Sequence, residues 1–139
     1  MNIQIHTGKK ARDMAAFCIA GQLFKRYWNM VYALLAMVLD PKDMLLATVH
    51  DSGVGSVFPC GCAVAYKGHI EIFVIAKYRR KGCGTLLVNA LKKKTKLATA
   101  HPGVRGSEAF WRKHDIQITG TTLNDLLRAD RRTVSRFKS

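Results

Sequence analysis

Acidic residues are scarce in this chain of 139 residues: 9 Asp and Glu stand against 23 Lys and Arg, for a formal net charge of +14. Such a field draws anions and speeds their encounter. Nucleic acid, phosphate-rich cofactors, acidic membranes and acidic proteins therefore all qualify on charge alone, and a merely solvated basic surface does too. Long hydrophobic runs are also missing. The longest apolar stretch, residues 28–39, falls short of the roughly 20 residues a membrane helix needs. The first ten residues hold no apolar core of a secretory signal. These two absences predict a soluble cytoplasmic protein without a membrane partner. Cysteines are few: Cys18, Cys60, Cys62 and Cys83, in a spacing that matches no disulfide framework of a small secreted domain. Cys60-Gly61-Cys62 is one residue tighter than the usual zinc pair and has no second pair to complete a site. No metal is expected, and the two thiols are predicted to share one face of a strand, reduced. Repeats and low-complexity segments are absent. What remains is 48% apolar, enough for one core and a single domain over residues 1–139.

The hydrophobic pattern divides this chain into an N-terminal helical part and a strand-rich part. Residues 2–6 alternate weakly and read as a first strand. Thr7 is placed to cap the helix after it. Met14, Phe17, Cys18 and Gly21, then Trp28, Val31, Tyr32, Leu35 and Leu39, recur at helical spacing. One long or two consecutive helices are expected over residues 9–39, ended by Asp40-Pro41. Residues 45–49, 54–66 and 70–76 then read as strands, separated by the turns His50–Gly53 and Lys67-Gly68, with Pro59 and Gly61 marking a bulge or edge. Tight turns between consecutive strands predict an antiparallel meander. Cys83, Leu86, Leu87, Ala90 and Leu91 form one helical face, closed by Lys92, Lys93, Lys94 and Lys96 at the negative end of the helix dipole. Residues 97–100 are a short strand candidate, residues 107–114 a short helix, and residues 116–121 and 133–138 alternate again, with a helical turn or loop between them.

The segment with chemical content is Arg79-Arg80-Lys81-Gly82-Cys83-Gly84-Thr85, lying between an apolar strand and a helix. Glycines permit close backbone approach and left-handed angles. The first N–H groups of the helix lack internal acceptors and, with the dipole, favour a pyrophosphate. Three basic side chains add countercharge. No Gly-Lys-Ser/Thr follows, so the loop is not a P-loop, and Leu87 stands where a dinucleotide fingerprint needs its third glycine.

This loop resembles the Arg/Gln-x-x-Gly-x-Gly/Ala signature of the GNAT N-acetyltransferases. The wider family pattern falls on Ile72, Val74, Ala76, Arg79, Gly82 and Gly84, with Ala76 where proline is usual. Phe110-Trp111-Arg112-Lys113-His114-Asp115-Ile116 is similar to the apolar frame of the family's last core helix. The resemblance implies an α/β (α+β) GNAT fold: a mixed central sheet with an antiparallel N-terminal meander, flanked by helices. It also implies acetyl-CoA as acetyl donor. Arg79, Arg80, Lys81, Gly82, Cys83, Gly84 and Thr85 would hold its pyrophosphate, and Ile72 and Val74 would offer main-chain groups to its pantetheine arm. An acceptor amine, on a small molecule or a protein, would then attack directly. Where the family often places an acidic Tyr and an Asn, this chain has Trp111 and Val104. His69, Glu71 and His101 are the candidate bases, although His69 and Glu71 alternate onto the strand face opposite Val74.

The expected function is transfer of an acetyl group to an amine. The alternative is a catalytically weak or inactive module of the same shape, as found among small phage domains of this family, or one associated with nucleic acid. Arg128, Arg131, Arg132, Arg136 and Lys138 give the C-terminal segment a basic character that suits the latter. With Phe137 as its one aromatic, that segment offers little for base stacking.

Overall fold

The computed structural model describes residues 1–22, 24, 27–52, 58–103 and 107–138, with side chains up to Arg131. Its elements run β1 (Asn2–His6), α1 (Gly8–Ala20), α2 (Trp28–Leu39), β2 (Met44–His50), β3 (Gly61–Tyr66), β4 (His69–Val74), a 3₁₀ turn (Ala76–Tyr78), α3 (Cys83–Lys92), β5 (Thr99–Ala100), α4 (Glu108–Lys113), β6 (Gln117–Ile118) and α5 (Leu123–Lys138). Strands β1 to β6 lie in chain order in one mixed sheet flanked by helices. The pairings from β1 to β4 are antiparallel, with Ile3 opposite Val49, Leu46 opposite Val64 and Ala63 opposite Ile72. The pairings of β4 with β5 and of β5 with β6 are parallel.

Alternation along the strands feeds two cores. Leu46, Cys62 and Val64 point to the face covered by α1, α2 and α5, where Met30, Leu34 and Leu123 are buried. Ala47, Ala63 and Ile70 point to the other face, where Leu87 and Leu91 of α3 and Trp111 of α4 cover them. In β4 the period of two sends His69, Glu71 and Phe73 one way and Ile70, Ile72 and Val74 the other, as the sequence predicts.

The N-terminal helical segment is two helices. Gln22, at φ 52, and Gly21 end α1. A β-carbon on Gly21 would collide with the Phe58 ring, which stacks on Phe17 at 4.4 Å. Thr7 occupies the N-cap of α1 without a side-chain capping bond.

Several boundaries differ from the sequence reading. The strand expected over 54–66 is Gly61–Tyr66, and residues 53–57 lie outside the described residues. The fourth strand stops at Val74, because Ala76 opens the 3₁₀ turn. The fifth and sixth strands shrink to two residues each. Helix α3 stops at Lys92, with Lys93 as its C-cap, so Lys94 and Lys96 lie past its end. Cys60 and Cys62 do not share a face. Cys60 precedes the strand, its N–H donating to Val49 O and its carbonyl accepting from Ile75, and the turn of the chain there sends the two thiols to opposite cores. Burial pushes the Cys60 thiol up to about 11 and the Cys18 thiol up to about 12, which keeps both protonated.

The largest correction is at the C-terminus. Residues 133–138 continue α5 rather than forming a strand. Thr122 and Asp125 cap that helix reciprocally, each N–H donating to the other's side chain at 3.1 Å. Leu123, Leu126 and Leu127 then give it an apolar face against the first core. Asp130 fastens the helix to the β3–β4 turn, accepting from the Tyr66 hydroxyl at 2.6 Å and pairing with Lys67 at 3.0 Å. Among the described residues no helix is long and apolar enough to cross a membrane.

Candidate functional site

Strands β4 and β5 touch only at their beginnings, His69 with Thr99 and Ile70 with Ala100. Beyond Ile70 they diverge, so the β5-side edge of β4 has no strand partner among the described residues from Glu71 to Val74. Ile75 N–H donates to Cys60 O, toward β3. The alternation of antiparallel pairing therefore turns the main-chain groups of Ile72 and Val74 toward the gap. The Val74 carbonyl there accepts from Arg79 Nε at 2.9 Å.

The gap opens into a cleft of about 620 Å³, lined by Ile72, Phe73 and Val74 of β4, by Tyr78, Arg79 and Arg80, by Gly82, Cys83, Gly84 and Thr85, and by Ser107, Phe110 and Lys113. Of the nine residues the sequence marks for an anionic cofactor, Lys81 alone does not line it; it extends over the Tyr78 ring at 5.7 Å. Gly82 is the N-cap of α3 at φ 84, and the position of its missing Cβ is open space. The first intrahelical bond runs from Leu86 N–H to Gly82 O, which leaves the N–H groups of Cys83, Gly84 and Thr85 at the positive end of the helix beside the cleft. Gly84 has a different reason to be glycine: an added Cβ would sit 3.1 Å from the Phe110 ring.

The loop is braced from both sides. The Arg79 guanidinium lies 5.7 Å from the Phe73 ring centre while it holds the end of β4. The Tyr78 hydroxyl donates to Asp51 at 3.0 Å. Arg80 is held at φ 61, a left-handed angle that costs a non-glycine residue on the order of 1 kcal/mol. Arg80 and Lys113 contribute charge at the mouth.

The three candidate bases are not in this cleft. His69 and Glu71 are each 1% exposed, on the opposite face of β4. His69 is a strand residue bonded through Nδ1 to the Thr99 hydroxyl at 2.8 Å, and burial together with nearby His101 holds its pKa below the usual value. His101 Nδ1 accepts from Gly103 N–H at 3.0 Å. Glu71 accepts from the Tyr27 hydroxyl at 3.4 Å and from the Leu123 N–H at 3.3 Å, at the start of α5. Burial lifts its carboxyl to about 7, against the opposing pull of those two donors. Tyr27 stacks on Phe73 with ring centres 5.4 Å apart, so this buried carboxyl is linked through one ring to the cleft wall.

A raised carboxyl pKa makes the folded state hold a proton that the unfolded chain releases. Stability therefore falls as pH rises from about 4.5 to about 7, with a total contribution on the order of 3 kcal/mol. Urea unfolding of the parent and of Glu71→Gln at pH 5 and pH 7.5 checks this. The Gln variant is expected to gain stability relative to the parent only at the higher pH. An equal difference at both values would show that the carboxyl does not titrate in that window.

Sequence reasoning did not find Phe73, Tyr78, Ser107, Phe110 or Lys113 as wall residues, nor Tyr27 as the partner of Glu71. Trp111, aligned with the family's acidic Tyr, is 1% exposed in the second core, and it is its neighbour Phe110 that faces the cleft. Val104 lies outside the described residues. His114 lies behind Thr85, its Nε2 3.2 Å from the Thr85 hydroxyl. Comparison with protein-family models, with curated proteins and with solved structures finds no match to this chain.

Proposed function

We propose that the chain is a GNAT-type N-acetyltransferase that takes its acetyl group from acetyl-CoA and passes it to an amine. The observation that carries this reading is the cleft at the divergence of β4 and β5, where strand main chain, glycine loop, helix N-terminus and basic side chains converge. The cleft volume lies in the range of cofactor sites. Its parts suit the parts of the donor: the N–H groups of Cys83, Gly84 and Thr85 with Arg80 suit a pyrophosphate, and the open edge of Ile72 and Val74 suits an amide-bearing arm. Bound there, the donor supplies an activated thioester carbonyl. As the acceptor nitrogen took the acetyl group it would lose one proton, the thioester C–S bond would break, and coenzyme A would leave as a thiolate that takes a proton from water. Glu71 and Tyr27 do not line the cleft, so the proton lost by the amine is assigned to water at its open mouth rather than to either side chain.

One observation favours a second reading, a module that binds the donor without turning it over. Glu71 is enclosed, and Trp111 offers neither a useful acid nor access to the cleft. Nucleic acid is a proposed partner of either form, from the net charge of +14. Such binding would weaken steeply with salt.

Calorimetric titration with acetyl-CoA, followed by mass spectrometry of peptides, polyamines and aminoglycosides incubated with the protein, separates these readings. Micromolar binding with a mass gain on an acceptor is the expected result. Binding without transfer supports the second reading, and absence of binding overturns both.

A further inference from the structure

Helix α2 carries an apolar stripe that is left exposed among the described residues. Trp28, Tyr32, Leu35 and Leu39 are 59%, 45%, 41% and 79% exposed. Their spacing of four, three and four places them within a narrow sector of the helix, opposite the buried Met30, Ala33, Leu34 and Met37. This is the d-a-d-a spacing of a heptad seam, the width that fits one facing helix rather than a broad apolar surface. Trp28 and Tyr32 already lie side by side, ring centres 6.1 Å apart.

We infer that α2 is the contact helix of a homodimer, packed antiparallel against α2 of a second copy. A two-fold axis between Ala33 and Leu34 sets Trp28 against Leu39 and Tyr32 against Leu35, which are the a-to-d pairings an antiparallel seam requires. The same operation satisfies both protomers at once, as an isologous interface must. The flanking positions are Asn29, Val31, Ala36 and Val38, and α2 holds no charged residue. Like charges therefore do not meet at the seam, and no flanking charge selects a different partner. The four side chains expose roughly 500 Å² per protomer, or about 1,000 Å² for the pair, at the lower edge of specific interfaces. A weak, concentration-dependent dimer is the consequence.

The neighbouring helices set the sign of its salt dependence. Each copy carries a formal net charge of +14, and α1 and α5, which pack beside α2, bear exposed Lys9, Lys10, Arg12 and Arg128. Their repulsion opposes association, and salt screens it. Dimerisation is thus expected to strengthen as salt rises, whereas docking of this basic protein on nucleic acid or on an anionic membrane would weaken.

Sedimentation equilibrium of the full chain tests this at two salt concentrations. A monomer–dimer equilibrium with a dissociation constant in about the micromolar to tens-of-micromolar range is expected, falling several-fold from about 0.1 to 0.5 M NaCl. Leu35→Glu and Tyr32→Glu, at exposed sites where folding is unaffected, are each expected to raise the constant by about 100-fold, because the seam has no partner for a charge. Mixing Tyr32→Cys with Leu35→Cys protein under air oxidation is expected to give the mixed disulfide in preference to either like pair. A monomer up to the order of 100 µM in high salt overturns the inference. So do dimers untouched by the two Glu variants, like-pair disulfides only, or a stripe whose variants instead lose binding to phosphatidylglycerol vesicles.

Discussion

Replacing Gly82 with Val is expected to remove the proposed acetyl-CoA binding altogether while the protein stays folded. The Gly82 backbone sits at φ 84, and the space where a Cβ would point is empty of protein atoms. A β-branched residue at that angle carries strain of about 1–3 kcal/mol, and its side chain would stand in the ligand's approach to the amides of α3. The two effects together predict a loss of at least about 10²-fold, beyond what titration calorimetry resolves at ordinary protein concentrations. Gly84→Val is expected to fail differently. Its Cβ would meet the Phe110 ring at 3.1 Å, so binding falls together with stability, as α4 is levered from α3. Arg80→Ala, removing a charge at the solvent edge, should cost about 1–2 kcal/mol of binding and nothing of the fold. Arg79→Ala acts on the loop itself, since Arg79 holds the last carbonyl of β4. Unchanged binding in Gly82→Val would show that the anion does not sit over the start of α3.

The largest stability loss is expected at Trp111. Its side chain is 1% exposed and packs edge-on against Phe110 at 4.9 Å, beneath α3 and the short strands. Trp111→Ala should destabilise the protein by about 3–5 kcal/mol, from lost apolar burial and the cavity left behind, read from chemical denaturation midpoints. Trp111→Phe should cost far less than its lost volume alone suggests. The indole N–H is buried with no hydrogen-bond partner among the described residues, and deleting an unpaired donor returns part of the loss. A Phe variant as damaged as the Ala variant would mean that the indole N–H is satisfied. Trp111→Tyr is not expected to supply a catalytic acid, because that side chain faces the core and Phe110 faces the cleft.

The two expectations bear on one another through α4. Phe110 forms the cleft wall and limits the residue at position 84, while Trp111 anchors the helix that carries it. Binding of the proposed donor should therefore stabilise the protein against denaturant, and Trp111→Ala should weaken that binding even though Trp111 does not line the cleft.

Much of this architecture is written in local pattern. The period of two in β2 to β4, the turn at Lys67-Gly68 and the break at Asp40-Pro41 specify the meander and the end of α2 without tertiary help. The same holds for α3, whose apolar positions recur every three and four residues. The glycine loop is equally local, because the left-handed N-cap of α3 favours glycine at that point of the chain. The sequence also placed His69 and Glu71 on the strand face away from Val74, since alternation alone decides it.

What the pattern did not decide were features that arise between distant segments. Residues 133–138 alternate as a strand would, yet they extend α5, because the Thr122–Asp125 cap and the packing of Leu123 and Leu127 on the first core had already begun a helix there. Cys60 and Cys62 look paired until the turn of the chain before β3 sends them to opposite cores. Phe110 and Lys113 reach the cleft, and Tyr27 reaches Glu71, only because β4 and β5 diverge after two residue pairs and α2 and α5 close over one side. Periodicity records which face of its own element a residue occupies. Which face meets which, how far two strands stay together, and hence whether a carboxyl is solvated or sealed, depend on long-range packing that no local window contains.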